Sequence, residues 1–320
     1  MQPVDVVPLR ARRGWVRHHG HRMTTTPALP QTPPAPRTDT ALAWFFVLVW
    51  GSGYLASKTG LQYAAPFTFL TLRFSLGVLC LLPWLLWSRP RWPATRREWA
   101  HIGVAGLLMH AINLGGSHHA QTLGLSAGIT ALLLATQPLF TALIAHRFLH
   151  QRLNARQWLG VAVGLLGVAL VVWHKVDVQA VNAKALLAVA ISLTAITAGT
   201  LYQRRYCPTA DLRSASLIQF ALSLAVLAPL AWGVEGFRVQ WAWPLLGAVV
   251  FLVLFSSILA TNVLHLLMRR GHATRVTSLL FLTPIVAVLL EWAMFGVVPT
   301  PLSALGIVVT TAGVALVSAR

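Results

Sequence analysis

The sequence predicts an all-α integral membrane protein whose ten transmembrane helices form two five-helix repeats of inverted topology. Three observations carry the prediction. The chain is 320 residues long, 56% hydrophobic and only 10% charged, with a mean hydropathy of +0.68, whereas about a quarter of a soluble domain is charged. Its basic residues fall mostly in alternate gaps between apolar runs. Finally, the chain aligns with itself at a single offset of 146 residues.

Taken in order, the apolar runs place spans at 41–58, 66–87, 99–120, 125–147, 157–174, 184–203, 214–232, 243–267, 274–295 and 302–318, each near the ~20 residues a bilayer crossing needs. No room is left for a separate soluble catalytic domain. Residues 1–40 are a different material, with six arginines, His18, His19, His21 and a Thr- and Pro-rich run from Thr24 to Pro36. Such a composition predicts disorder, and no apolar signal-peptide core precedes the first span. Met23, followed by Thr24-Thr25-Thr26, offers a second start that would make residues 1–22 a gene-model extension. The first repeat is expected over 41–174, an outer linker over 175–183, the second repeat over 184–318 and a cytoplasmic tail at 319–320.

A net charge of +18 would suggest nucleic acid if the basic residues formed one patch. They are instead distributed by side. With the N-terminus cytoplasmic, 20 Lys and Arg lie in inner segments and four, Lys58, Lys175, Lys184 and Arg238, in outer ones; Arg73 falls within a span. That asymmetry is what the positive-inside rule produces, and it predicts cytoplasmic N- and C-termini and no nucleic-acid partner. Anionic lipid is attracted to the same loops. Cys80 and Cys207 offer neither a disulfide framework nor a metal cluster.

At the 146-residue offset, Pro138 pairs with Pro284, Gly160 with Gly306, and Gly167-Val168-Ala169-Leu170-Val171 with Gly313-Val314-Ala315-Leu316-Val317. Between 125–171 and 271–317 there are 13 identities in 47 positions, where chance in such a composition gives ~5. The same offset aligns Phe74 with Phe220, Leu81 with Leu227 and Pro83 with Pro229. The repeat therefore spans five helices. Since five is odd, the second copy enters the membrane inverted, an arrangement characteristic of secondary transporters with a substrate site near the midplane.

Trp50-Gly51-Ser52 followed by Lys58 and Pro66, Pro138-Leu139-Phe140 leading to Gln157-Trp158-Leu159-Gly160, and the echo around Pro284 and Glu291-Trp292 resemble the drug/metabolite transporter superfamily, EamA type. The resemblance covers about 41–318. It implies two inverted EamA repeats in a bacterial cytoplasmic membrane and movement of small metabolites or drugs, commonly outward. The family often carries Leu-Gly-Glu just after helices 4 and 9; here those positions read Leu149-His150-Gln151 and Phe295-Gly296-Val297, so that carboxylate has no counterpart.

Several side chains stand out. Gly160, Gly164 and Gly167, echoed by Gly306, Thr310 and Gly313, have the small-residue spacing of close helix packing; the resemblance puts these fifth helices at the periphery of each repeat, with a homodimer contact as one use. Pro138 and Pro284 should kink their helices. Ionisable groups within spans are costly unless they face a cavity or a partner. Arg73 lies seven residues into its span and pairs with Gln219 across the repeat; Glu291 is the only acid in any span, with a structural hydrogen bond or, in a proton-coupled transporter, the proton carrier as its alternative roles. His119 and His265 are repeat mates expected near opposite ends of the cavity, as gates. Trp50, His110, Asn113, Gln121, Gln137, Asn262 and Thr283 add groups for the same cavity wall, with the choice left to helix rotation.

Enzyme classes find little support. There is no HExxH, no pair of intramembrane aspartates, no phosphate-binding Gly-rich loop, and His118 and His119 point about 100° apart on a helix, so neither metal nor cofactor is expected. A structural or regulatory membrane module is the competing reading. Few charges within the spans suggest a neutral or zwitterionic solute such as an amino acid, and a hydrophobic drug would meet similar walls.

Overall fold

The computed structural model describes residues 37–148, 153–179, 182–260, 262, 263, 266, 267 and 282–318. Their long-range order is helical: α1 Arg37–Gly60, α2 Pro66–Ser88, α3 Arg96–Gly106, α4 Asn113–Thr122, α5 Ala127–Ala135, α6 Gln137–Phe148, α7 Ala155–Gln179, α8 Ala183–Tyr206, α9 Leu212–Gly233, α10 Trp243–Val250, α11 Thr283–Phe295 and α12 Pro301–Ser318. Two stretches are π-helical. Leu107–Ile112 joins α3 to α4 without a break, and Phe251–Ala260 extends α10. Among the described residues, six stretches are long and apolar enough to cross a bilayer: Pro66–Ser88, Ala127–Ile144, Ala183–Tyr206, Leu212–Gly233, Trp243–Ala260 and Pro301–Ser318.

Polar residues in the gaps set where these helices begin. Thr95 accepts from Glu98 N, Ser126 from Ile129 N, Asn182 from Lys184 N and Asp211 from Arg213 N, each satisfying an amide the helix leaves orphaned. Asn154 and Gln157 cap reciprocally at the start of α7, with Gln157 N donating to Asn154 Oδ1 at 2.8 Å and Asn154 N to Gln157 Oε1 at 3.0 Å. Gly296 ends α11 at φ 67°, a left-handed conformation that costs glycine little. Pro83 and Pro229 lie inside α2 and α9, which run through them.

Helices α2 and α9 lie along one another, as do α7 and α12; α8 packs on α4, α5 and α6, while α1 packs on α10, the second π-helical stretch and α11. Leu70, Phe74, Leu81 and Leu85 of α2 interlock with Leu217, Phe220 and Leu227 of α9. Apolar burial alone would not hold such helices together in lipid, so small residues and interhelical hydrogen bonds matter more. A Cβ on Gly160 would stand 2.8 Å from Gly313 O, and one on Gly167 would stand 2.8 Å from Gly306 O. The two glycine faces are thus spent on each other within the chain.

Contacts gather the helix ends into two sets. At one, here the glutamate end, the chain around Ala64 bridges Val239, Gln240 N donates to Tyr63 O at 2.9 Å, and Lys58, Ala127 and Glu291 converge. At the other, the arginine end, Arg91 and Ser88 meet Asp211, Arg213 and Ser214. Trp87 and Trp99 stay exposed towards the arginine end, and Trp232, Trp243 and Trp292 towards the glutamate end, as the aromatic belts of a membrane protein require.

Candidate functional site

The polar centre is built from equivalent positions of the two halves. Arg73, seven residues into α2, donates from Nη2 to Ser257 Oγ at 3.2 Å, within the second π-helical stretch. Gln219, its mate at the 146-residue offset, lies on α9 and accepts at Oε1 from His110 Nε2 at 3.2 Å, within the first. The offset carries 107–112 onto 253–258. Each half therefore sends a polar side chain into the π-helical stretch of the other. A π stretch widens the helix and frees backbone groups, and such stretches occur often at functional sites; no proline or glycine lies within either to account for it.

Around this pair, Gln219 Nε2 donates to Gln203 Oε1 at 3.3 Å. His110 sits between Phe74 and Phe220, whose ring centroids are 5.8 and 5.1 Å away. One turn beyond α4's start, His118 is buried, its Nδ1 3.3 Å from Ser117 Oγ and its Nε2 without a partner. Phe74, whose ring meets His110, follows Arg73 directly in α2. Arg73 and His110 are only half-buried. Arg73 turns to the opposite half rather than snorkelling along its own helix.

Other residues singled out in the sequence lie away from the Arg73–Ser257 and Gln219–His110 bonds. Asn113 is buried, donating to Met109 O at 3.0 Å and accepting at Oδ1 from Ser192 Oγ at 2.7 Å, which pins α4 to α8. Gln137 donates to Thr200 Oγ1 of α8 at 2.9 Å. Asn262 is exposed and donates to Ile258 O at 2.8 Å. Trp50 is exposed beside Phe46. Thr283 is buried with its hydroxyl unpaired. The helix breaks at Thr136, just ahead of Pro138, and Pro284 is the second residue of α11. Gly164 meets Leu139 in addition to Gly313. His265 lies outside the described residues, as do Arg269, Arg270 and Arg275.

His119 is exposed rather than central. It lines a cleft of about 280 Å³ with Phe67, Ile112, Gly116, Ile191 and Leu230, apart from the Arg73–Ser257 bond.

Glu291 and Glu235 cap helices of the opposite half. Glu291, 2% exposed, accepts from Ala127 N at 3.0 Å, Gly128 N at 2.8 Å and Lys58 Nζ at 2.7 Å. Both carboxylate oxygens are engaged at the positive N-terminal end of α5. Glu235 does the same for α2, accepting from Phe67 N at 2.9 Å and from Thr68 N and Oγ1 at 2.7 Å. The hydrogen bonds of Glu291 are those of a helix cap paired with a lysine. Glu235 and Ser257 were not singled out in the sequence: a glutamate in a loop and a serine in an apolar run carry no signal until the fold supplies their partners. Among the described residues, no group of His, Cys, Asp and Glu could hold a metal ion.

The EamA-like transporter family profile matches twice, over residues 40–173 and 183–319. The uncharacterized inner membrane transporter YedA of Escherichia coli strain K12 is 26% identical over 265 residues, covering 78% of this chain and 85% of that one. The uncharacterized transporter YvbV of Bacillus subtilis strain 168 is 26% identical over 293 residues, covering 89% and 93%. A solved crystal structure shares the fold with a TM-score of 0.60 at 19% identity, over 88% of this chain and 96% of the other.

Proposed function

Because the chain belongs to the EamA-like transporter family, we propose that it is a secondary transporter that carries a small solute out across the cytoplasmic membrane by alternating access. The crossed pair Arg73–Ser257 and Gln219–His110 carries this reading, since it puts equivalent side chains of both halves at one polar centre. In this reading the chain makes ten crossings in two inverted repeats, 41–174 and 184–318, with both termini cytoplasmic. The double match to the family profile and the 146-residue offset support it. The substrate occupies the space beside Arg73 and His110, the glutamate end is the outer face, and its cross-half contacts must part for release. His119 and His265 are proposed to line the routes to either side.

Untargeted metabolite profiling of cells and medium, with and without the protein, tests the function. A small solute should accumulate in the medium and fall in the cells when the protein is present. Identical profiles, with the protein verified in the membrane, would sink the transporter reading.

A further inference from the structure

We infer that Arg73 is the anion-recognising residue of the substrate site and that the solute it takes is a small monocarboxylate with an otherwise uncharged body. The inference rests on the transporter reading for its location and deepens it by naming the substrate class.

A guanidinium stays charged and offers five N–H donors. Arg73 uses one of them, on the neutral hydroxyl of Ser257, while its Nε is buried without a partner. Among the described residues, no carboxylate pairs with it. The sequence has seven acidic residues. Glu291 and Glu235 are taken up by helix ends at the glutamate end. Asp211 pairs with Arg213 at the arginine end, and Glu98 accepts from Ala94 N at the start of α3. Asp39 belongs to the first turn of α1, Asp177 to the last turn of α7, and Asp5 precedes the described residues. An isolated cation between membrane helices is costly unless a partner arrives; Arg73 is half-buried, and in the transporter reading the solute supplies that partner.

The surroundings select the anion. A carboxylate matches the guanidinium fork with two parallel hydrogen bonds. A phosphate dianion would need a second cation, and Lys58 is already committed to Glu291. The nearby groups are hydrogen-bonding side chains and rings: Ser257, His110 between Phe74 and Phe220, and His118 with Phe69 5.7 Å from its ring. An amino acid's ammonium would find no free carboxylate among the described residues. Rings around both histidines suit an apolar or aromatic body.

Thermal unfolding of the purified full-length protein in detergent, with phenylacetate, phenylacetamide, phenylalanine and phenylphosphonate as probes, tests this. Phenylacetate should raise the melting temperature saturably, with at least about tenfold tighter binding than the other three, which corresponds to ~1.4 kcal/mol. Arg73→Gln should abolish the effect and Arg73→Lys should retain a weaker one. Equal binding of the amide or of phenylalanine, an unchanged response in Arg73→Gln, or no response to phenylacetate, benzoate and hexanoate alike would each overturn the inference. If Arg73→Gln does not fold, the carboxylate-to-amide comparison in the wild type decides. Proteoliposome counterflow separates the two readings: carboxylate binding without flux overturns transport and keeps the site, whereas Arg73-independent flux of neutral solutes keeps transport and overturns the site.

Discussion

Lys58 Nζ lies 2.7 Å from Glu291 Oε1, an ion pair that fastens the last turn of α1 to α11 while the same carboxylate caps α5. One buried acid thus holds three helices at the glutamate end. Lys58 also stands 4.5 Å from the Phe295 ring centroid, which adds a cation–π contact.

Glu291→Gln should lower stability by ~2 kcal/mol, because two amides lose a charged acceptor in a buried place. Lys58→Met should cost less, ~1 kcal/mol, since its side chain is 25% exposed against 3% for Glu291. Chemical unfolding in detergent micelles measures both, and a Glu291→Gln protein as stable as wild type would remove the clasp. In proteoliposomes, pH-driven uptake lost in Glu291→Gln with substrate exchange intact would instead make Glu291 the proton carrier.

The α7–α12 seam makes a second prediction. A Cβ on Gly313 would stand 2.7 Å from Gly160 O and closer still to the Gly164 backbone, and backbone cannot step aside as a side chain end can. Gly313→Ala should therefore destabilise by ~1–3 kcal/mol, the usual range for overpacking. Gly247→Ala is the control, because its Cβ would meet nothing within 4 Å; there the better helix propensity of alanine should leave stability equal or higher. Similar losses in both variants would refute the seam.

These features differ in how far the sequence could announce them. The apolar runs and caps mark the helices well, since length and polar boundaries are local properties. The glycine seam was visible as a spacing, though only the fold makes α7 and α12 partners. Arg73's depth was countable along α2, but its reach to Ser257 depends on a π-helical stretch that no local residue announces. His119, expected at the cavity, is exposed in the cleft with Phe67 and Ile191, because polar groups on several sides of α4 leave its rotation unspecified by the sequence. Glu235 and Glu291 look alike in the structure and unlike in sequence, one in a loop and the other in a span, because a capping role is defined by the amides it meets.

Asp211 gives a pH dependence. It caps α9 and bonds the Arg213 guanidinium at 2.9 Å, and that hydrogen bond, with help from the Arg213 and Arg91 amides, holds its carboxyl down at about 2. The unfolded value is ~3.9. A depressed folded value means that the stabilisation is fully present above the unfolded value and fades as pH falls from about 4 to about 2. Wild-type stability should therefore drop across that window more steeply than that of Asp211→Asn, which should also be less stable at neutral pH. Parallel curves would show that the pair contributes nothing.

Sidedness follows from the basic loops. Reporter fusions should place the segments near Arg91, Arg152, Arg204 and Arg270 in the cytoplasm and those near Lys58, Val178 and Glu235 outside. The described part of this pattern already segregates, with Arg91 beside Asp211 at one end and Glu235 on Phe67 at the other. Reporters showing the Arg91 and Val178 segments on the same side would break the ten-crossing topology.

Alternating access makes the sharpest demand on the contact between Ala64 and Val239. These residues form an isolated antiparallel bridge, and Gln240 N donates to Tyr63 O at 2.9 Å beside it, so the bridge ties a loop of the first half to a loop of the second. Glu235, on the same loop, grips the start of α2. If the glutamate end is the outer gate, this set must separate in each cycle. Residues directly opposite in an antiparallel pair have Cα atoms about 4.5–5.5 Å apart, a spacing that a disulfide accepts. Ala64→Cys with Val239→Cys, in a background without Cys80 and Cys207, should therefore cross-link under oxidation with little change in fold. Flux should fall to the level of protein-free liposomes when the bond forms and return when it is reduced, while either single cysteine should leave flux unaffected. A cross-linked protein that still transports at the wild-type rate would mean that this end does not open, and the route to the outside would have to be sought elsewhere.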